Sequence, residues 1–572
     1  MTADQLPPGP HPTQRSRRMF LTLAALTAGA PLLGACRGGS GPGNDDGASS
    51  GTAPAAASPA PTEFQELGAH LMGHRVTVRV SPLIRAGEEA TALVLELTRV
   101  ADDAAMADVQ SKPPSSDTLP ISSYMQASAA PSSPKGASGT RLLDPGQGRV
   151  WSSTMTSWMI DVKLAPGQSE TTYVPFGPVD VDQVTAFIPQ TGLVAARVID
   201  RDTASGLGID LDAMDKALDK LGADADKTAP ATIEHFTQAL DESASTRTTD
   251  KDVTTTLASD VTFTPDSADL SDKADAQLQT VADQIAQHPD GGSLDIVGHT
   301  DDVADDAHNQ KLSEDRAAAV KDRLGQLTDL AKWEVTTTGK GESEPAVDGT
   351  TDEARAANRR VVITITPTGG AASSTAPSAT PSSAPSAAPS SSAPGGTALP
   401  EPQGQVGAGP DGVTAVHPSI GSFDSSEQVT ITLPQVVRAG GLLFGRLSVT
   451  VGPRGADDNS VLSDWFDDDE FLLSNARGED GSLVATIGTV NGLTLLAGGE
   501  RVFPADYLDG DRQVHLPLSE CNLFKSLKEG AVTTVCAVWP DTGQETVTLD
   551  HQAYKDDPWH AFRLTDIPVV SA

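Results

Sequence analysis

One acidic and one basic residue in the segment Gly298–Ala317, GHTDDVADDAHNQKLSEDRA, have the chemistry to bind a small charged ligand. Asp301 offers a carboxylate that only accepts hydrogen bonds, and Arg316 offers a planar guanidinium with five donors. A ligand that carries an ammonium group beside a carboxylate matches this pair. The two residues are fifteen positions apart, so they can act together only if the fold brings both to one pocket.

The flanking pattern predicts how the fold does so. An apolar run at 294–297 is typical of a short buried strand, and apolar residues at helical spacing over 320–327 predict an amphipathic helix. The polar residues then lie on a strand-to-helix connection. Ser313 is the predicted N-cap of the helix, with acidic residues after it, which places Arg316 in the first turn.

These residues resemble the family of OmpA C-terminal-like peptidoglycan-binding domains, and the resemblance extends over roughly Asp252–Thr366. The matching motifs occur in the family order and spacing: Phe263 with Ser267-Ala268, Gly298-His299-Thr300-Asp301, Asn309 with Leu312-Ser313 and Arg316-Ala317, Gly339-Lys340-Gly341 with Pro345, and Asn358-Arg359-Arg360-Val361. The alternation of predicted strands and helices in this region indicates a mixed sheet with helices packed against it.

The resemblance also implies the roles of the site residues. Asp301 is expected to bind the ammonium of the diaminopimelate residue in the peptidoglycan stem peptide, and Arg316 its carboxylate. The remaining family positions that line the pocket correspond to Thr300, Asn309 and Arg359. One departure is Ala304, where the family usually has glycine, and an alanine there would strain the loop if the backbone needed a positive φ.

Length and charge limit the other readings. The chain has 572 residues, enough for three or four domains, and a formal net charge of −37. Such an acidic chain is not expected to bind nucleic acid, because contact with phosphates needs a basic face. The charge is typical of a soluble, self-repelling envelope protein.

The first residues predict export and a lipid anchor. Residues 1–35 combine basic residues, including Arg17-Arg18, with an apolar run, and they resemble a twin-arginine signal peptide. Leu33-Gly34-Ala35-Cys36 resembles a lipobox, which implies cleavage before Cys36 and a lipid on that residue. The alternative is an ordinary signal peptide with an incidental cysteine. We expect a cell membrane lipoprotein that faces the cell wall or periplasmic space.

Composition and periodicity predict a multidomain α+β protein and divide the rest of the chain into six parts. The predicted parts are a disordered tether, a β-sandwich, a helical connector, the OmpA-like domain, a disordered Ser/Ala/Pro linker and a second β-sandwich, at 36–62, 63–205, 206–251, 252–366, 367–411 and 412–572. Repeat 1 (Val76–Gly87, VTVRVSPLIRAG) aligns without gaps on repeat 2 (Val429–Gly440, VTITLPQVVRAG), which suggests that the two sandwiches share an ancestor.

Cys521 and Cys536 flank a loop of about 15 residues. In an oxidising compartment they are expected to form a disulfide that contributes about 3 kcal/mol by chain entropy. The alternative is two buried thiols that never meet.

We predict no metal, no cofactor and no enzymatic activity. The histidines and acidic residues of the binding loop lack the ligand spacing of a calcium helix-loop-helix motif, and a solvated acidic loop explains them. The chain also lacks the common hydrolase motifs. The predicted function is a non-covalent link between membrane and peptidoglycan. The alternatives are an adhesion or partner-binding protein, whose sandwiches bind other envelope proteins, and an accessory of a wall hydrolase.

Overall fold

The computed structural model is a sheet-rich mixed α+β protein with few helices. It describes residues 61–71, 73–103, 119–120, 137–156, 163–222, 228–371, 399–417, 427–453, 463–466, 490, 492–509, 514–519, 527, 529–552 and 560–571. The predicted signal peptide, the lipid site at Cys36, most of the tether and of the second linker, and Cys521 lie outside these ranges. In the described part of the chain, no helix combines the length and the apolar character that crossing a membrane requires.

The N-terminal segment consists mainly of antiparallel strands, as its alternating pattern predicts. In the second strand Val76, Val78 and Val80 are buried and the residues between them face outward. The elements are β1 (Gln65–Leu71), β2 (His74–Val80), β3 (Leu83–Arg85), β4 (Thr91–Arg99), β5 (Leu119–Pro120), β6 (Arg141–Asp144), β7 (Arg149–Ser152), β8 (Lys163–Leu164), β9 (Ser169–Phe176), β10 (Gln183–Ile188), β11 (Gly192–Ile199), α1 (Arg201–Gly206) and α2 (Leu211–Leu221).

The predicted helical connector is helical only in its first part. Helix α2 is confirmed, but the helix expected over 233–240 is wrong, because that stretch forms strand β12 (Ala231–Ala239) and is followed by β13 (Ala244–Thr248). Ile233 and Phe236 also suit helical spacing, yet β12 pairs with β7, β13, β24 and β25 along its length. Long-range pairing therefore overrides the local period.

The central segment is a mixed sheet with helices packed against it. Its elements are β14 (Val253–Ala258), α3 (Ser259–Thr262), α4 (Ala274–Ala286), β15 (Gly292–Gly298), α5 (Asp306–Leu327), β16 (Trp333–Gly339), α6 (Asp352–Asn358) and β17 (Arg360–Pro367). The strand order is β13-β14-β17-β15-β16, and only the β15–β16 pair is parallel. Leu278, Val281 and Ile285 of α4 pack with Val320 and Leu324 of α5 in its core.

The C-terminal segment is again rich in strands. Its elements are β18 (Gln405–Ala408), β19 (Val413–His417), β20 (Glu427–Thr432), β21 (Val436–Ala439), β22 (Leu442–Val451), α7 (Ser463–Phe466), β23 (Thr494–Ala497), β24 (Glu500–Val502), β25 (Asp506–Asp509), β26 (Val514–Pro517), β27 (Val532–Pro540), β28 (Thr546–His551) and β29 (Phe562–Ser571). Cys536 is buried in β27. Because Cys521 is outside the described ranges, the disulfide stays a prediction.

Repeat 1 and repeat 2 have the same topology. In repeat 1, β2 and β3 both pair with β4, and in repeat 2, β20 and β21 both pair with β22. Leu83 lies in parallel register with Val198, and Val436, its partner in the gapless alignment, lies in parallel register with Val569. The next strands also correspond, since β9 pairs with β4 and β27 with β22. This agreement supports a common origin of the two segments.

The prediction of two separate β-sandwich domains is not confirmed, because the two segments share one core. Leu143, Phe187 and Ile233 pack in one apolar cluster with Tyr507 and Val538 of the C-terminal segment. Strand β12 hydrogen-bonds to strands of both segments and, through β13, to the central sheet. The central sheet is therefore joined to the strand-rich segments by backbone pairing.

Candidate functional site

The loop that carries Asp301 leaves β15 and enters α5 earlier than the sequence predicted. The N-cap is Asp305, whose side chain accepts a hydrogen bond from His308 N at 3.0 Å, and the predicted N-cap Ser313 is wrong. Both residue types cap helices, and the local sequence does not choose between them. Arg316 consequently lies in the third turn of α5.

Ser313 instead fixes α5 against the sheet. Its hydroxyl donates to Gln310 O and accepts from Gly341 N, at 2.8 and 2.9 Å. At Gly298 a Cβ atom would lie 2.2 Å from Ser313 O, and at Gly339 one would lie 2.5 Å from Ser313 Oγ. Two glycines at the strand ends therefore permit the close packing that sets the position of α5.

Arg316 is a buried cation whose charge is not matched by a close carboxylate. Its side chain is only 4% exposed, its Nε donates to Ser267 O at 3.0 Å, and its guanidinium lies over the Phe263 ring, 5.2 Å from the centroid. Burial lowers the pKa of Arg316 from its ordinary value, while Asp260 and Asp266 act in the opposite direction. Within the described ranges, no carboxylate lies at ion-pair distance from this guanidinium.

Asp301 is held in place by Arg359. Arg359 Nη1 donates to Asp301 Oδ2 at 2.6 Å, and its Nε and Nη2 donate to both carboxylate oxygens of Asp260 at 2.7 and 2.6 Å. The paired Asp260 carboxylate, followed by that of Asp301, raises the pKa of Arg359. From the residues that the structure describes, the second oxygen of Asp301 accepts one long bond, 3.3 Å, from Val303 N. That oxygen therefore has capacity for another donor.

Asn309 closes the loop from the first turn of α5. It is 2% exposed, and its Nδ2 donates to Asp301 O, Ala304 O and Glu342 Oε2 at 3.1, 3.3 and 2.6 Å. Ala304 is not among the described residues with a positive φ, so the alanine does not strain the backbone. The expected loop strain is absent at this position.

Thr300 and His299 each place a polar atom in a buried position beside the loop. Thr300 Oγ1 and His299 Nδ1 have no hydrogen-bond partner in the part of the protein that the structure describes. Burial, reinforced by the nearby Arg360 charge, lowers the pKa of His299 to about 4. The imidazole is therefore neutral at physiological pH.

All five residues predicted for binding line one cavity of about 520 Å³: Thr300, Asp301, Asn309, Arg316 and Arg359. A second cavity of about 370 Å³ adjoins it and shares Arg316 and Arg359. Sequence reasoning missed Asp266, which lines both cavities, has a φ of 52° and pairs with His308 Nε2 at 2.9 Å. Its position between Phe263 and Ser267, within one motif of the family, was the available signal.

Three loop residues whose side chains could bind a metal contact other groups. Asp302 accepts from Arg355 Nε at 2.7 Å, Asp305 caps α5, and His308 pairs with Asp266.

Part of this chain is similar to known proteins. Residues 262–359 match the model of the OmpA family. The chain contains an OmpA-like domain. Outer membrane porin F of Pseudomonas aeruginosa is 43% identical over 102 residues, which are 18% of this chain and 29% of that protein. Outer membrane protein A of Escherichia coli O157:H7 is 36% identical over 101 residues, again 18% and 29%. The chain thus spans about three tenths of the length of these relatives.

Two solved structures are similar to part of this chain. The cell wall anchor of the T6SS from Pseudomonas aeruginosa is 32% identical, with 21% of this chain and 83% of that chain covered and a TM-score of 0.19. The peptidoglycan-associated lipoprotein from Burkholderia pseudomallei is 29% identical, with 18% and 86% covered and a TM-score of 0.16.

Proposed function

We propose that the protein binds peptidoglycan non-covalently through its OmpA-like domain and links the cell wall to a membrane. The observation that carries the proposal is Arg316, a guanidinium buried in the cavity wall without a carboxylate at ion-pair distance among the described residues. Burying an unmatched charge is costly unless a partner arrives. A ligand carboxylate would be that partner. The guanidinium can donate two parallel hydrogen bonds to it, in the geometry that a carboxylate accepts.

The rest of the cavity supports a ligand that is also cationic. Asp301 is 15% exposed and lies in the same cavity wall, with its position set by Arg359. We assign Asp301 to the ammonium and Arg316 to the carboxylate of a diaminopimelate residue, whose free end carries both groups. Thr300 Oγ1 can add a hydrogen bond to the ligand, and Asn309 and Arg359 hold the loop in shape.

The membrane end of the link rests on the sequence. The lipobox at Cys36 supports a lipid anchor, and the arginine pair before it supports export by the twin-arginine route. We place the protein at the membrane, facing the cell wall, without catalytic activity. The strand-rich segments are available for contact with other envelope proteins.

Co-sedimentation of the full chain with purified insoluble peptidoglycan tests wall binding. Arg316→Ala and Asp301→Asn are expected to leave most of the protein in the supernatant. Arg323→Ala and Asp302→Asn are matched controls, because they alter exposed ion pairs on the same helix and loop. Wild-type sedimentation of both pocket variants, with folding confirmed by circular dichroism, contradicts the assignment.

The anchor is tested separately by cell fractionation. Cys36→Ala is expected to move the protein from the membrane to the soluble exported fraction, because no acyl chain can then be attached. A variant that stays in the membrane fraction would show that another anchor exists.

A further inference from the structure

Three side chains of the types that bind metal ions come from distant parts of the sequence and meet on one face of a β-sheet. Glu234 of β12 and Asp506 of β25 lie directly opposite each other in the antiparallel register. His515 of β26 lies opposite Leu508, two residues after Asp506, and so projects from the same face. Their ligand atoms, two carboxylate oxygens and one imidazole nitrogen, all lie within 4.8 Å of one another.

The cluster is buried rather than solvated. Glu234 is 8% exposed, Asp506 is fully buried, and the side chain of His515 is 17% exposed. Two carboxylates and an imidazole buried together provide the oxygen and nitrogen ligands that a divalent metal ion takes in proteins. Arg247 Nη1 lies 3.5 Å from Glu234 Oε2, but its side chain is 40% exposed and also lies 3.9 Å from Asp252. Arg247 can therefore turn to Asp252 when another cation binds Glu234.

The distance between two of the ligand atoms matches that of neighbouring ligands on one ion. His515 Nε2 lies 3.4 Å from Glu234 Oε2, which is longer than a strong N–H···O hydrogen bond. Metal–ligand bonds of about 2.0–2.2 Å in a tetrahedral zinc site place neighbouring ligand atoms roughly 3.3–3.6 Å apart. We propose that Glu234, Asp506 and His515 bind a divalent transition-metal ion, with Zn²⁺ as the representative ion and a water molecule as the fourth ligand.

The choice of ion follows from the ligands. An imidazole nitrogen with two carboxylates suits Zn²⁺ and other first-row ions, whereas Ca²⁺ takes oxygen ligands in larger number. Strand β12 pairs through β13 with the sheet of the OmpA-like domain, and β25 and β26 belong to the C-terminal segment. A bound ion would brace the junction between the wall-binding domain and the C-terminal strands. This role goes beyond peptidoglycan binding and does not depend on it.

The test is isothermal titration of the full chain, stripped with a chelator, with Zn²⁺ and in a parallel arm with Ca²⁺. We expect one Zn²⁺ per chain at this site, a rise of the unfolding temperature with Zn²⁺, and at least about a hundredfold weaker binding in His515→Gln and Glu234→Gln. His288→Gln and Glu66→Gln are controls for the residue types and should bind Zn²⁺ as the parent does. Neither residue belongs to the cluster.

Absence of Zn²⁺ binding by the parent, or undiminished binding in the folded ligand variants, overturns the proposal. Tighter binding of Ca²⁺ than of Zn²⁺ overturns it as well. If circular dichroism shows that His515→Gln does not fold, Asp506→Asn decides, because it keeps the size of the side chain and removes its charge. Co²⁺ provides an independent measurement: its visible absorption in the parent should indicate a nitrogen and oxygen site of low coordination number and should disappear in Asp506→Asn.

Discussion

Arg316→Met separates the binding role of the buried guanidinium from any structural role. Methionine keeps an unbranched, flexible side chain but carries no charge, so it can pack beside Phe263 without the cost of burying a cation. If Arg316 is buried for the ligand, the variant should lose peptidoglycan binding and keep its fold. A structural arginine would give the opposite result.

The expected magnitudes follow from the contacts. A hydrogen bond to a charged group contributes about 1.5–3 kcal/mol, so the loss of one from the ligand carboxylate weakens binding roughly tenfold to a hundredfold. For stability, the variant loses the 3.0 Å bond from Nε to Ser267 O and the contact of the cation with Phe263. It also avoids the desolvation of a buried ion, which costs several kcal/mol. These effects oppose each other, and the free energy of unfolding should change by less than about 1 kcal/mol.

The assay combines binding of a soluble stem-peptide fragment by the full chain with urea unfolding of the same samples. Arg316→Lys should recover binding only in part, because an ammonium cannot grip a carboxylate with two parallel donors. Arg323→Met, which removes a more accessible guanidinium paired with Asp275 on the same helix, is the control for the substitution itself. Parent-like binding by the folded Arg316→Met variant refutes the pocket assignment. A loss of more than about 2 kcal/mol of stability refutes the claim that this charge is unmatched in the free protein.

Three further predictions test the scaffold. Gly298→Ala should lower the free energy of unfolding in urea melts by about 1–3 kcal/mol, because the added Cβ would lie 2.2 Å from a carbonyl oxygen of α5. Gly325→Ala is the control: the atom nearest to its added Cβ is 3.9 Å away, so the substitution should raise the free energy of unfolding by about 1 kcal/mol. Burial lowers the pKa of His299 to about 4, so the unfolded chain binds a proton between pH 6.5 and 4 that the folded chain does not. Stability should therefore fall as the pH drops through this window, and less steeply in His299→Gln, as urea midpoints at pH 7.5 and 4.5 would reveal. Non-reducing peptide mapping of exported protein should find Cys521 bridged to Cys536, and two alkylatable thiols would exclude the bridge.

The sequence by itself predicted the OmpA-like domain and five of the residues that line its cavity. Thr300 and Asp301 lie on one strand-to-helix connection and Asn309 lies in the first turn of the helix that follows, so short-range geometry brings them together. Arg316 follows on the same helix, and Arg359 belongs to a motif whose place in the sheet the family resemblance supplies. All five line one cavity because the elements that carry them are adjacent in the sheet or joined by a short loop.

Where the local sequence allows two structures, only the tertiary structure determined which one forms. Asp305 and Ser313 are both suitable helix caps, and packing of α5 against two strand-end glycines leaves Ser313 inside the helix. The stretch 231–239 has apolar residues at helical spacing but forms a strand, because β7 of the N-terminal segment and β25 of the C-terminal segment both hydrogen-bond to it. The same long-range pairing merges the two strand-rich segments into one core and brings His515 to Glu234. Contacts between residues hundreds of positions apart leave no periodic trace in the sequence, and for that reason they appear only when the chain is folded.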